Sequence, residues 1–139
     1  MSIPNFLRMQ VVERAANRCE YCGLSQEGQE AVFHVDHIQP VSLDGPTELE
    51  NLALACVSCS LRKSARVSAA DPDTGGMVPL FHPRRDLWNL HFRWNASELI
   101  GITPSGRATV SALAMNRPIA VSIRHEESLR GRHPPPGHL

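Results

Sequence analysis

Hydrophobic and polar positions follow two different rhythms along this chain. Over residues 5–18, Phe6, Leu7, Val11, Val12 and Ala15 recur at three- and four-residue steps, which predicts a helix with Pro4 near its first turn. Over "AVFHVDHI", residues 31–38, the period drops to two. Val32, His34 and Asp36 fall on one side of a strand and Phe33, Val35 and His37 on the other, and Pro40 ends it. "SLDGPTELEN" is a loop with a turn at Asp44-Gly45-Pro46. "NLALAC" predicts a second short strand, and "CSLRKSARVSA" begins a helix with Ser58 or Ser60 as its cap. Further along, "HFRW" and "ELIGITP" predict a hairpin turning near Asn95-Ala96. "TPSGRATVSALAMN" predicts a helix with Val110, Leu113 and Ala114 inward, and "RPIAVSIRHEESLRG" another. Residues 131–139 are proline-rich and are expected to be a disordered tail.

Composition narrows the class. A chain of 139 residues with 42% hydrophobic content is long enough to bury a modest core, and residues 1–130 are expected to form one domain. No apolar run approaches the roughly 20 residues that span a membrane, and the first residues lack the layout of a secretory signal. A cytoplasmic protein is the expectation. Formal net charge is zero, which by itself argues against a nucleic-acid partner. The halves differ, however: residues 1–60 hold 3 Lys and Arg against 8 Asp and Glu, and residues 61–139 hold 11 against 6. That asymmetry is compatible with an acidic, cation-holding face beside a basic one, and equally with charges scattered over a solvated surface.

The cysteines change the picture more. Cys19, Cys22, Cys56 and Cys59 form two C-x-x-C pairs, "CEYC" and "CVSC", with none left over. In a reducing compartment, thiolates at this spacing point to one tetrahedral structural zinc, ahead of a redox pair or unligated buried cysteines. A closed four-thiolate site has no open coordination position, so such a metal is a staple and not a catalyst. The long interval between the pairs must then hold something folded, in the order strand, loop, strand, helix.

The stretch "VDHIQPVSLDGPTELENLALACVSCSLRK", which runs from this interval through the second cysteine pair, resembles the motif of the HNH endonucleases, most closely their zinc-stapled subset. The core resemblance covers residues 19–66, about a third of the chain. It implies an α+β fold built on a ββα-metal (His-Me finger) unit, stapled by the four-cysteine zinc site, with flanking helices and a short β-hairpin. It also implies roles residue by residue. His37 falls on the general base that takes a proton from the attacking water. Asp36 falls on a ligand of the catalytic divalent cation, Mg²⁺ or Mn²⁺. Asn51 falls on the central Asn that holds the loop and the base in position. The third motif position, directly after the last cysteine, is usually His or Asn and completes the cation site; here it is Ser60, the one clear departure.

The chemistry suits the residue types. A neutral imidazole is a fitting base near pH 7. Mg²⁺ keeps several waters and needs few protein ligands, so a serine in the third position is compatible with activity. Arg62, Lys63 and Arg66 follow at helical spacing and are candidate phosphate contacts, with an exposed solvated helix face as the alternative. The N-terminus of that helix would face phosphate. His34 shares a strand face with Asp36 and is either a further cation or phosphate contact or a histidine bonded to a neighbour. Two functions follow: a metal-dependent endonuclease acting on nucleic acid, with DNA the expected substrate, or a zinc-containing DNA-binding module weakened or silenced at Ser60.

Overall fold

The computed structural model describes residues 3–138. By its internal contacts the chain separates into two compact units, Met1–Arg66 and Val67–Leu139. The boundary coincides with the end of the core motif. No helix among the described residues is long and apolar enough to cross a membrane.

The first unit opens with α1, Asn5–Arg14. Val11 is its fully buried anchor, whereas Phe6, on the recurring apolar positions, is 62% exposed. The helix also stops four residues short of its predicted end. Ala16 and Asn17 both adopt left-handed backbone, with φ of 52° and 58°, which turns the chain into the first cysteine pair. Strands β1, His34–His37, and β2, Leu52–Ala55, pair antiparallel with His34 opposite Ala55 and His37 opposite Leu52. All four residues of β2 are buried, as expected of a strand covered on both faces. Its free edge is occupied by Glu20: the Leu54 amide donates to the Glu20 carboxylate at 2.8 Å, and the Glu20 amide donates to the Leu54 carbonyl at 2.8 Å.

Helix α2, Val57–Lys63, follows at once. Its cap is neither predicted serine. The sulfur of Cys56 accepts from the Cys59 amide and takes the capping role. The helix ends early, where Ser64 turns to φ 51°. Strand, loop, strand and helix thus form the ββα arrangement that the motif implied.

Among its described residues the second unit holds two hairpins and three helices. β3, Ser68–Ala70, pairs with β4, Met77–Pro79. α3, Trp88–His91, leads into β5, Phe92–Asn95, which pairs with β6, Glu98–Gly101, around the expected turn. Helices α4, Pro104–Ala112, and α5, Pro118–Leu129, lie where the periodicity put them. The buried face of α4 is Gly106, Ala108 and Thr109, with Leu113 just past its end; Val110 is only half-buried. Small residues are required there, because a Cβ on Gly106 would sit 2.1 Å from the His91 carbonyl oxygen. Phe81, Phe92 and Leu99 complete this core. Residues 131–138, in the stretch expected to be disordered, make defined contacts. Arg132 pairs with Glu127 at 2.7 Å, and the His138 ring stacks on Trp88 with centroids 3.6 Å apart. Leu139 lies outside the described residues.

Candidate metal centre and catalytic cleft

Two sites are built side by side in the first unit. In one, Cys19, Cys22, Cys56 and Cys59 are all buried and their sulfurs lie within 4.8 Å of one another. Cys22 Sγ and Cys56 Sγ are 3.8 Å apart. A tetrahedron of thiolates about 2.3 Å from zinc has sulfur–sulfur edges of roughly 3.8 Å, so the donor set fits that ion. Each pair forms the same knuckle. The Cys22 amide points at Cys19 Sγ at 3.5 Å and the Cys59 amide at Cys56 Sγ at 3.4 Å, which suits sulfurs carrying negative charge. Hydrogen bonds from Cys19, Cys22 and Cys59 hold the Cys56 thiol far below its ordinary range. The same network, with burial, pushes Cys22 and Cys59 up. Four thiols in mutual contact cannot all ionise unless a cation offsets their charge. This cluster is positioned to bind one metal ion.

The other site opens where β1 ends. Asp36, His37, Pro40, Val41, Ser60, Leu61, Ser64 and Ala65 line a wide-mouthed cleft of about 320 Å³. Asp36 and His37 leave a regular strand on opposite faces, yet both reach this cleft. His37 is the last paired residue, and the chain then turns through Ile38 to Pro40. Lys63 fixes that turn: its ammonium donates to the Ile38 carbonyl at 2.9 Å, and the residue is only 3% exposed. Burial pulls the Lys63 ammonium below its ordinary range, while nearby Asp36 opposes that effect.

Lys63 is therefore turned inward and does not present the phosphate-facing charge expected of it. Arg62 and Arg66 remain exposed, Arg66 lying beyond the end of α2 with its guanidinium donating to the Arg62 carbonyl at 2.7 Å. The N-terminus of α2 also differs from expectation. It starts at Val57, and its Cys59 amide is directed at the Cys56 sulfur.

Asn51 is buried at 6% exposure and ties the loop between the strands into one shape. Its Oδ1 accepts from the Gln39 amide at 2.9 Å, and its Nδ2 donates to the carbonyls of Gln39 at 3.0 Å and Pro46 at 2.9 Å. Gly45 makes this closure possible, since a Cβ there would lie 1.8 Å from the Gln39 carbonyl oxygen. Arg14 reaches across from α1 to the carbonyls of Leu49 and Leu52, at 2.9 and 2.7 Å.

The pairing of His37 with Thr47 carries no signal in the sequence, and His34 takes the bonded-neighbour role the sequence allowed, with Ser60 as the unpredicted partner. His37 Nε2 and Thr47 Oγ1 are hydrogen-bonded at 2.9 Å. His34 Nδ1 and Ser60 Oγ are hydrogen-bonded at 2.8 Å. Thr47 sits in a polar loop with no periodicity to mark it. Ser60 lies 26 positions from His34, so that partnership has no local signal either.

The first unit thus combines a ββα arrangement, four cysteines positioned for one metal ion, and an acid and an imidazole lining one cleft. Residues 19–66 match the family model described as HNH endonuclease, the same segment on which the motif resemblance was drawn. Comparison with curated proteins and with solved structures gave no match. The matched family is one of metal-containing endonucleases that act on nucleic acid.

Proposed function

We propose that this protein is a divalent-cation-dependent endonuclease that hydrolyses phosphodiester bonds of nucleic acid, with DNA the expected substrate. The observation that carries this reading is the opening of Asp36, His37 and Ser60 onto a single cleft beside a zinc-ready cysteine cluster.

Each residue has a physical role. If His37 donates its Nε2 hydrogen to Thr47 Oγ1, its Nδ1 is left as the lone-pair nitrogen that takes a proton from water. Asp36 supplies the carboxylate for Mg²⁺ or Mn²⁺, with Ser60 across the cleft. A cation bound there would offset charge on the phosphoryl and departing oxygens. Asn51 acts at one remove, holding the loop that carries Thr47. Exposed Arg62 and Arg66 engage flanking phosphates, which positions the strand without reading its sequence.

The test is plasmid nicking by purified, zinc-loaded protein with Mg²⁺ or Mn²⁺. Wild type is expected to cut, and His37→Ala to lose about 10²–10⁴-fold in rate with zinc content unchanged. Cutting by His37→Ala at the wild-type rate would overturn the assignment. The competing reading, a zinc-stabilised binding module without hydrolysis, is favoured by Ser60. It predicts retarded DNA mobility and no cutting with any divalent cation.

A further inference from the structure

Ser60 is the residue that departs from the motif, and its hydrogen-bond partner lies on the strand that carries Asp36. His34 and Asp36 are two residues apart on β1 and so share a face of that strand. From this face His34 Nδ1 meets Ser60 Oγ at 2.8 Å. Ser60 lines the cleft together with Asp36, while His34 is half-buried and is not among the residues that line it. The imidazole thus stands behind the serine as seen from the cleft.

A lone serine hydroxyl is a poor substitute for an amide carbonyl or an imidazole, because its hydrogen can point at the position a cation needs. A fixed acceptor behind it removes that difficulty. We propose that His34 and Ser60 work as one unit in place of the usual third-motif side chain. His34 Nδ1 accepts the Ser60 hydroxyl hydrogen, and both Ser60 oxygen lone pairs are then available on the cleft side, toward the cation held by Asp36 or toward its water. His34 is in this scheme a positioning residue that acts through Ser60. The inference rests on the cation-dependent reading above and adds to it a defined set of partners.

Binding of Mn²⁺ to the zinc-loaded full chain, followed by electron paramagnetic resonance of free Mn²⁺, tests it without recourse to activity. Ser60→Ala and His34→Ala are each expected to weaken Mn²⁺ binding about tenfold, and the double variant no further, since either change disables the same unit. His34→Asn should restore affinity to within about threefold, because its Oδ1 can accept where Nδ1 does. In a Ser60→Asn background His34→Ala should cost less than about twofold, since a carbonyl oxygen needs no hydrogen drawn away.

The proposal is overturned if Ser60→Ala binds Mn²⁺ like wild type, or if the two single losses multiply in the double variant. It is equally overturned if His34→Ala costs as much in the Ser60→Asn background as in the wild-type chain. Should His34→Ala fail to retain zinc, His34→Asn and Ser60→Ala decide the matter. Asp36→Ala separates the two levels. If it leaves Mn²⁺ binding intact, the cation site itself is wrong; if it abolishes binding while the Ser60 and His34 variants are silent, only the pair is wrong.

Discussion

At the scale of single residues, the cleft is governed by side chains whose partners lie far away in sequence. His37 and Thr47 are ten positions apart and hydrogen-bonded at 2.9 Å, and on the proposed reading Nε2 donates to the threonine and leaves Nδ1 as the base. Thr47→Val removes the acceptor while nearly keeping the volume. The expected outcome is a fall in kcat of about tenfold, worth roughly 1.4 kcal/mol of transition-state stabilisation, with KM for the nucleic acid little changed. An unaltered kcat would show that the threonine does not orient the base. Asp36 and His37 stand side by side in the motif and are legible there. Thr47 is a common residue in a common kind of loop, and nothing in its neighbours marks it.

Among the elements, short-range rules fail wherever a side chain is diverted to a tertiary duty. A serine was the expected cap of α2, but Cys56 performs that task because its sulfur already faces the Cys59 amide in the metal knuckle. Lys63 reads as an exposed basic residue and is instead the pin of the Ile38 turn. In the second unit the turn after β3 is fastened to α4 in the same manner. Buried Asp71 is gripped by Arg107 through Nε at 3.0 Å and Nη2 at 2.8 Å. The Arg107 guanidinium, against some opposition from burial, holds the Asp71 carboxyl down from its ordinary 3.8 to about 2.

A depressed carboxylate stabilises the fold above its unfolded value. As pH falls, the unfolded chain binds the proton first, so this contribution declines between about pH 4 and pH 2. The urea midpoint of wild type should therefore drop toward that of Asp71→Asn across this window. A constant gap between the two from about pH 5 to pH 2 would refute the linkage.

For the whole molecule, the separation at Arg66–Val67 leaves the metal-ready cysteines and the cleft in one unit and the aromatic core in the other. Structural zinc contributes its binding free energy directly to folding. Stripping the metal with a strong chelator should accordingly raise hydrogen exchange throughout residues 3–66, while amides of β6 and α4 keep their protection. Uniform loss across residues 3–138 would mean that the chain unfolds as one cooperative body.

What the sequence settled by itself is the part of this protein that repeats at short range. Residue spacing determined the two cysteine pairs, the ββα order between them, the later hairpin and the last two helices, because strand and helix periods and the reach of a C-x-x-C knuckle are local properties of the backbone. The tertiary structure alone decided which face of α1 is covered, that Lys63 turns inward, and that His34 meets Ser60. Those outcomes depend on distances between residues tens of positions apart, which chain closure sets and no window of neighbouring letters contains.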